Sequence, residues 1–326
     1  MPAQVDRKPS ERGAALLTVL LLVAIIAVLA GAALEKLRLS TRVGGNAVAL
    51  DQARAFSFAA ETLAVVKVSD LLARHPARVT LEGGWSGRPI PLPIPGGTAD
   101  ATVVDGGNCF NLNGLVTEVS PGVYASFTPA RAQFARLIRL VDPQAASPDG
   151  IAAAAADWID SDTYPLDGGA EDSAYSGYRT ANTLMADPSE LRAVRGVTRA
   201  DYERLRPWLC ALPVAAPSRI NVNTLLPEQA PLIAMLLPGT LTVEGARQVL
   251  LRRPPAGFAA TTAFWSQAAL ASGSAQDAAA QTDVRTTWFS LKVDVTLRGV
   301  QLEQYGLIDA TTLPARLVSR QWGERP

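Results

Sequence analysis

AALLTVLLLVAIIAVLAGAAL, residues Ala14–Leu34, is the stretch that decides the fold, because its 21 residues carry no charge. As an α-helix, a run of this length crosses about 30 Å of hydrocarbon. It is also longer than the apolar region of a secretory signal, which has about 7–15 residues. Basic residues lie on both sides, Arg7 and Arg12 before it and Lys36 and Arg38 after it, so the positive-inside rule leaves the orientation open. The sequence therefore predicts a membrane-spanning helix near the N-terminus.

The composition of the whole chain excludes several functional classes. The 326 residues are 48% hydrophobic and 18% charged, and 30 basic residues balance 30 acidic ones. Nucleic-acid-binding proteins usually carry an excess of basic charge, which this chain lacks. One His and two Cys exclude a His-rich metal site and a disulfide-dense scaffold. The sequence contains no Walker, dinucleotide-binding, serine-hydrolase or zinc-protease motif, so no enzymatic activity is predicted.

The junction before the apolar run resembles the site at which prepilin peptidase cleaves pilins and pseudopilins. Cleavage after Gly13 would leave Ala14 as the mature N-terminus and retain the whole apolar helix. Pilins usually carry Glu at the fifth mature position, where this chain has Thr18. A carboxylate inside a bilayer is costly, and in these filaments it neutralises the N-terminal amine of the subunit ahead. Thr18 therefore suits the first subunit of a filament, although a plain membrane anchor would lack that Glu as well.

Beyond the span, the pattern predicts a long helix, strands, a helical block and strands again. Helical spacing of apolar residues continues to His75-Pro76, with an interruption expected at Gly44-Gly45. Short strands are expected within residues 76–126, and Phe289–Leu297 alternates apolar with polar residues as a half-buried strand does. The Ala-rich block of residues 127–284 is predicted to be helical. If both β regions form one sheet, this block is an insertion.

Several short motifs together resemble protein K of type II secretion systems, the large minor pseudopilins. Each motif is weak alone, but their order and spacing along nearly the whole chain are specific. They are RG/AALLTVLLLVAI at the leader, NLN at Asn111–Asn113, DWIDSD at Asp157–Asp162, GGAEDSAY at Gly168–Tyr175, YRTAN at Tyr178–Asn182, ELRAVRGVT at Glu190–Thr198 and INVNT at Ile220–Thr224.

The resemblance implies an α+β, pilin-like fold, in which a long N-terminal helix packs on a small antiparallel sheet and a large all-α domain is inserted. The corresponding segments are a leader (1–13), a transmembrane and pilin helix (14–75), a first β region (76–126), the insertion (127–284) and a second β region (285–326).

The same resemblance implies a non-enzymatic protein of the bacterial inner membrane. It would span that membrane once, with its C-terminal domain in the periplasm, after processing by prepilin peptidase and methylation of the new N-terminus. Together with minor pseudopilins I and J it would cap the pseudopilus tip and initiate assembly for protein export across the outer membrane.

An acidic loop is the sharpest local feature of the sequence. Residues 157–172 contain six carboxylates and no basic residue, and Gly168-Gly169 allows tight turns. Several of these oxygens could converge on Ca²⁺, although the spacing is not that of an EF-hand, and a solvated acidic loop is the alternative. The resemblance favours a structural Ca²⁺, since protein K binds calcium in this loop. The expected ligands are Asp160, Asp162, Glu171 and Asp172, with Asp167 and Asn182 as further candidates.

The two cysteines, Cys109 and Cys210, form either a disulfide or two separate buried thiols. Beyond a membrane span in a bacterial periplasm they could be oxidised. A bridge would close a loop of about 100 residues and join the first β region to the helical block.

The segment Ile220–Phe258 resembles a helix-hairpin-helix unit of the SAM-like kind, and Glu190–Leu209 is a second candidate. Such units bind the DNA backbone through a Gly-x-Gly hairpin. Here the hairpin is Leu237-Pro238-Gly239-Thr240, which lacks the second Gly. Protein packing is therefore favoured and no nucleic acid is expected, with a membrane-anchored DNA-binding or DNA-uptake protein as the alternative function.

Overall fold

The computed structural model describes residues 9–267, 270 and 275–323. Residues 1–8 of the predicted leader lie outside this range. The described helices are α1 (Pro9–Arg74), α2 (Thr128–Val141), α3 (Pro148–Asp157), α4 (Arg199–Leu205), α5 (Pro231–Ala234), α6 (Val243–Leu251), α7 (Thr261–Trp265) and α8 (Ala275–Ala280). Short 3₁₀ helices lie at Glu82–Gly84, Leu112–Leu115, Asp172–Ala174, Pro188–Ala193, Arg206–Trp208 and Pro227–Gln229.

The strands fall into one large sheet and three short pairs. They are β1 (Pro89–Ile94), β2 (Gly97–Asp105), β3 (Phe110–Asn111), β4 (Val116–Ser120), β5 (Val123–Ser126), β6 (Leu209–Cys210), β7 (Ile220–Asn221), β8 (Thr282–Asp283), β9 (Trp288–Leu297), β10 (Val300–Asp309) and β11 (Arg316–Trp322).

Helix α1 is continuous over 66 residues, so the predicted interruption at Gly44-Gly45 is wrong. A glycine inside a helix costs only about 1 kcal/mol. It ends a helix when it adopts a positive φ at the C-terminus, and neither glycine does so. Residues 13–48 of the helix are exposed, and its most apolar window has a mean hydropathy of 2.9, long and apolar enough to cross a membrane.

The second half of α1 packs on a five-stranded antiparallel sheet of order β1–β2–β9–β10–β11. Strand β9 confirms the alternation seen in the sequence, and its buried face consists of Phe289, Leu291, Val293, Val295 and Leu297. The facing residues of α1 are mostly small: Ala53, Ala60, Ala64, Val68 and Leu72. Small side chains allow the helix axis to lie close to the sheet.

A chain of hydrogen bonds fixes α1 in one position on the sheet. Ser57 donates to Gln304 Oε1, and Gln304 Nε2 donates to Glu61 Oε2 at 2.7 Å. Ser57 and Gln304 have no exposed surface. Arg320 on β11 completes the chain with two bonds of 2.8 Å to the Glu61 carboxylate. Because buried polar groups must be paired, a shift of α1 along the sheet would leave these groups unsatisfied.

The helical unit is inserted between β2 and β9, which pair directly with each other. Strand β2 ends at Asp105 and β9 begins at Trp288, so the chain leaves and re-enters the sheet at neighbouring points. The inserted segment has its own hydrophobic core, which includes the fully buried side chains of Phe134, Ile138, Ile151, Leu191, Leu205 and Phe264. The sheet and the insertion therefore form two separate cores.

The insertion differs from the prediction in extent and in composition. Its core includes Phe110, Leu112 and Leu115, so it begins close to Gly106 rather than at residue 127. Every residue from Gly106 to Val116 is buried, whereas a strand at a one-sided sheet would expose alternate residues. It is also not all-α, because the pairs β3–β6, β4–β5 and β7–β8 lie within it.

Buried asparagines of the NLN and INVNT motifs hold the insertion together. Asn113 Nδ2 donates to the carbonyls of Met185 at 2.9 Å and Leu212 at 2.8 Å, and its Oδ1 accepts from the Met185 amide at 2.7 Å. Asn223 makes the same double contact with the backbone of Phe258. An amide side chain carries both a donor and an acceptor, so each of these asparagines satisfies buried backbone groups in a distant loop.

A polar network at the end of β2 joins the insertion to the sheet. Asp105 accepts hydrogen bonds from the hydroxyls of Thr224 in the insertion and Thr286 just before β9. Asn221 Nδ2 donates to the same Thr286 hydroxyl at 2.8 Å and to the Val79 carbonyl at 3.0 Å. Desolvation raises the pKa of Asp105, although these hydrogen bonds oppose the shift. The contact between the two units is thus specified by hydrogen bonds.

Both segments predicted as helix-hairpin-helix units contain short helices. The first contains α4 and overlaps the 3₁₀ helix Pro188–Ala193, and in the second α5 and α6 flank the hairpin Leu237–Thr240. Their assignment to that motif stays a prediction.

Replacing Ala60 by Leu should destabilise the fold, because Ala60 has no exposed surface at the contact between α1 and the sheet. Overpacking of a core costs about 1–3 kcal/mol. Ala59→Leu is the matched control, since the adjacent Ala59 is exposed. Urea unfolding of residues 35–326 measures both variants, and residues up to 48 add no buried surface to this fragment. Equal midpoints for the two variants would contradict the described helix position.

Candidate metal site

The acidic loop begins where α3 ends. Ser147 caps this helix, Pro148 occupies its first turn, and residues 151–156 are all buried inside the insertion. The helix ends at Asp157, and Asp160 follows almost one turn later. Asp157 is 0% exposed and Asp160 is 1% exposed, so both carboxyl groups lie inside the unit.

Three of the predicted ligands come together at this helix end. Asp160, Asp162 and Glu171 each place a carboxylate oxygen within 4.8 Å of the other two. Asp160 and Glu171 are buried, whereas Asp162 is exposed. Asp162 Oδ1 also accepts a hydrogen bond of 2.8 Å from the Tyr164 amide, which turns the chain at this point. The loop therefore gathers one exposed and two buried carboxylates.

The electrostatics of this cluster disfavour its charged form. Burial, followed by the charges of Asp162, Asp157 and Glu171, raises the pKa of Asp160 to about 7. Burial is also the main cause of the raised pKa of Glu171, with Asp157 adding to it. Asp160 Oδ1 and Glu171 Oε1 are buried without a hydrogen-bond partner among the described residues. A bound cation would satisfy both oxygens and offset the repulsion.

Asn182 supplies a third buried oxygen of the same kind. The backbone N–H of Asn182 donates to the Trp158 carbonyl at 3.1 Å, which holds the residue beside the end of α3. Its backbone has φ 47°, a conformation that asparagine tolerates better than most residues. Among the described residues, no group donates to its buried Oδ1. Asn182 thus offers a buried amide oxygen that could bind a cation.

The other two predicted ligands are placed differently. Asp172 Oδ1 accepts from the amide of Thr180 at 3.0 Å and from its hydroxyl at 2.9 Å. These bonds are the main reason that the pKa of Asp172 is lowered. Asp167 is exposed, and neither residue is part of the described carboxylate cluster.

Asp157, which was not among the expected ligands, contacts the backbone of the acidic loop. Its Oδ2 accepts hydrogen bonds from the amides of Ala170 at 2.6 Å and Leu166 at 3.2 Å. A carboxylate at the C-terminus of a helix is unfavourable to the helix dipole. An acidic residue at the last position of a predicted helix, followed by a Gly-Gly turn, is therefore the sequence signal that could have identified it.

The structure joins Cys109 and Cys210 in a disulfide, with a Cα–Cα distance of 5.8 Å and a sequence separation of 101. Parallel pairing of Phe110 with Leu209 and of Asn111 with Cys210 brings Cys109, the residue just before β3, within reach of Cys210. Both cysteines lie in the insertion, which begins close to Gly106. The bridge therefore joins two parts of the insertion rather than the first β region and the helical block.

The predicted processing residues lie in α1. Gly13 and Ala14 are exposed, and a Cβ atom added at Gly13 would meet no neighbouring atom. The Thr18 hydroxyl donates to the Ala15 carbonyl at 2.9 Å, so its polar group is satisfied within the helix.

Family models described as type II secretion system protein K match two segments, residues 108–214 and 220–285. Both lie within the insertion as the structure bounds it. Two curated proteins named type II secretion system protein K are similar over 96% of this chain and 97% of their own length. That of Pectobacterium carotovorum subsp. carotovorum is 32% identical over 318 residues, and that of Klebsiella pneumoniae is 34% identical over 319 residues. The chain belongs to the type II secretion system protein K family.

A solved structure extends this relationship to the fold. A chain in the crystal structure of the GspK–GspI–GspJ complex from the type 2 secretion system of enterotoxigenic Escherichia coli matches with a TM-score of 0.73 and 31% identity. The match covers 84% of this chain and 97% of that chain. As a protein K, the chain is a minor pseudopilin, and the long helix on an antiparallel sheet agrees with the pilin-like prediction.

The alternative DNA-binding function is not supported. Arg253 donates to the carbonyls of Val222 at 3.1 Å and Leu225 at 2.6 Å, and Arg219 pairs with Asp283. Arg247 also pairs with Glu244, so three of the four arginines between Arg219 and Trp265 are engaged by the protein's own groups.

Removing the disulfide should destabilise this protein K. In the chain-entropy model, a bridge across about 100 residues contributes roughly 4–5 kcal/mol. The double variant Cys109→Ala/Cys210→Ala should therefore unfold at a clearly lower urea concentration than the unaltered protein. Reductant should shift the unaltered protein toward the variant and leave the variant unchanged. An identical midpoint for oxidised protein and variant would contradict a stabilising bridge.

Proposed function

We propose that this minor pseudopilin caps the tip of the type II secretion pseudopilus and starts its assembly. The observation that carries the proposal is Thr18, an uncharged residue whose hydroxyl bonds to its own helix. A subunit without a carboxylate at this depth offers nothing to the N-terminal amine of a subunit ahead of it. It is therefore suited to the first place in the filament.

Its partners in this proposal are minor pseudopilins I and J of the same secretion system. Support comes from the relative of 31% identity, which was solved as a GspK–GspI–GspJ complex. The exposed apolar part of α1, residues 14–34, would lie in the inner membrane beside the corresponding helices of the partners. The rest of the chain would face the periplasm, an oxidising compartment in which the Cys109–Cys210 disulfide persists.

Maturation in this proposal follows the pilin route. Prepilin peptidase would cleave after Gly13 and methylate the amine of Ala14. We infer no enzymatic role for the protein itself, because the single histidine, His75, is exposed after the end of α1 and is not part of the carboxylate cluster.

A structural Ca²⁺ at the acidic loop is the second part of the proposal. Calcium takes six to eight oxygen ligands, and carboxylate and amide oxygens are preferred protein donors. Asp160, Asp162, Glu171 and Asn182 would hold it, since three of them carry a buried oxygen without a partner among the described residues. The ion would supply positive charge between groups that otherwise repel each other, and so add its binding free energy to folding.

Co-expression with pseudopilins I and J tests the tip assignment. Residues 35–326 should co-purify with the corresponding fragments of I and J at a ratio of 1:1:1. In the full-length protein, Thr18→Glu should leave secretion unchanged or reduce it, since the first subunit gains no partner for the carboxylate. Thr18→Ser, which keeps a hydroxyl, is the control. Improved secretion by the Glu variant would contradict the tip position.

Calcium removal tests the metal assignment. Adding Ca²⁺ at about 100 times its dissociation constant should stabilise the protein by roughly 2.7 kcal/mol, seen as a higher melting temperature that EGTA reverses. Asp160→Asn should abolish most of this shift and, in EGTA, melt no lower than the unaltered protein, because it removes a buried charge.

Asp167→Asn is the matched control, since Asp167 is exposed and outside the carboxylate cluster. A melting temperature that does not respond to EGTA in the unaltered protein would refute the calcium site.

A further inference from the structure

Asp157 is a completely buried carboxylate that touches the backbone of the acidic loop at two places. Oδ2 accepts from the amides of Ala170 at 2.6 Å and Leu166 at 3.2 Å, and Oδ1 lies 3.3 Å from the Leu166 amide. Both oxygens are therefore engaged by N–H donors. A buried charge is costly unless it is compensated in this way. We call these contacts the Asp157 clasp.

The Asp157 clasp determines where the second half of the acidic loop lies as the chain returns to the end of α3. The chain leaves the end of α3 after Asp160 and returns at Glu171, and the clasped amide of Ala170 immediately precedes Glu171. Asp157 and Asp160 are three residues apart, close to one helical turn. Holding residue 170 against Asp157 therefore brings Glu171 back to Asp160, the other buried carboxylate of the cluster.

Gly169 is required for the clasp. A Cβ atom at this position would lie 2.0 Å from Asp157 Oδ2 and 2.9 Å from Asp157 Cγ. Its other near contact, the Leu166 carbonyl at 3.1 Å, belongs to the same turn. Any side chain at residue 169 would thus separate the carboxylate from the two amides without altering a single oxygen of the proposed ligands.

We propose that Asp157 is a positioning residue of the acidic loop: its carboxylate, bound to the Leu166 and Ala170 amides, preorganises Asp160, Asp162 and Glu171 for a divalent cation without ligating it. This inference rests on the calcium site proposed above. Its physical basis is that a ligand set arranged before binding loses less conformational entropy when the ion arrives. Residues that orient metal ligands typically change affinity by about 10–100-fold when removed.

The test measures two quantities on the full chain in detergent micelles. One is Ca²⁺ affinity and stoichiometry by calorimetry, and the other is hydrogen exchange of the peptide covering residues 162–172 in EGTA, where no metal contributes. Both Asp157→Ala and Gly169→Ala should lower affinity by roughly tenfold or more and keep the number of bound ions unchanged. Both should also accelerate exchange of this peptide in the metal-free protein.

Two further variants separate positioning from ligation. Asp157→Asn retains an acceptor oxygen for the Ala170 amide, so it should preserve slow exchange better than Asp157→Ala. The double variant Asp157→Ala/Gly169→Ala should be no weaker than either single one, since both break the same contact. Gly168→Ala is not a suitable control because Gly168 has φ +74°. Asp167→Asn serves instead and should match the unaltered protein.

The outcomes distinguish this inference from the calcium proposal. Unaltered affinity and exchange in Gly169→Ala, together with loss of an ion in Asp157→Ala, would make Asp157 a ligand and overturn the positioning role. Absence of Ca²⁺ binding by the unaltered chain would overturn the calcium proposal and this inference with it. Near-ultraviolet circular dichroism of each variant shows whether the rest of the insertion is folded. If Asp157→Ala is unfolded, the result for Gly169→Ala decides between the two roles of Asp157.

Discussion

The pairing of β2 with β9 is the interaction on which the rest of the structure depends. These strands are far apart in sequence, yet nine residues of β2 from Gly97 to Asp105 align with Leu297 to Phe289. The pairing joins β1 and β2 to β9, β10 and β11 in the sheet on which α1 packs, and it brings both ends of the insertion together. A long loop adds little entropy cost beyond that of a shorter one, because the cost grows only with the logarithm of length. A whole folded unit can therefore interrupt the sheet at this point.

The insertion leaves and re-enters the sheet at adjacent ends of β2 and β9, and polar contacts fix it there. Asp105 binds Thr224 and Thr286, and Asn221 bonds to the same Thr286 hydroxyl. Within the insertion, buried asparagines and the Cys109–Cys210 disulfide perform the same task between loops that have little regular structure. The acidic loop depends on this framework, since α3 is buried in the core and presents Asp157 and Asp160 at its end. The pseudopilin thus combines an apolar anchor with a loop-rich unit held by specific bonds.

Sequence patterns predicted the elements whose burial follows a simple period. The charge-free run from Ala14 to Leu34 and the alternation from Phe289 to Leu297 correspond to α1 and β9. The prediction failed where a segment is buried on all sides. Residues 106–116 were expected to belong to the sheet, but they enter the second core, and their period is hidden because every residue is buried. The expected ligands came from the acidic residues of the loop and from the family resemblance, whereas the contacts of Asp172 with Thr180 and of Asp157 with the Ala170 amide are visible only in the structure.

The sequence by itself determined the apolar N-terminal helix, the order of β and helical regions, the family and the acidic loop. Each of these depends on local composition or on the order of motifs, which survive without three-dimensional information. Only the tertiary structure decided where the insertion begins, how the motif asparagines are used and which carboxylates share a site. Those properties depend on which distant backbone groups meet a given side chain. Asp157 and Asp160 are the same residue type, so the sequence alone does not distinguish them. In the folded chain, Asp157 binds the Ala170 amide, whereas Asp160 meets the Glu171 carboxylate in the cluster.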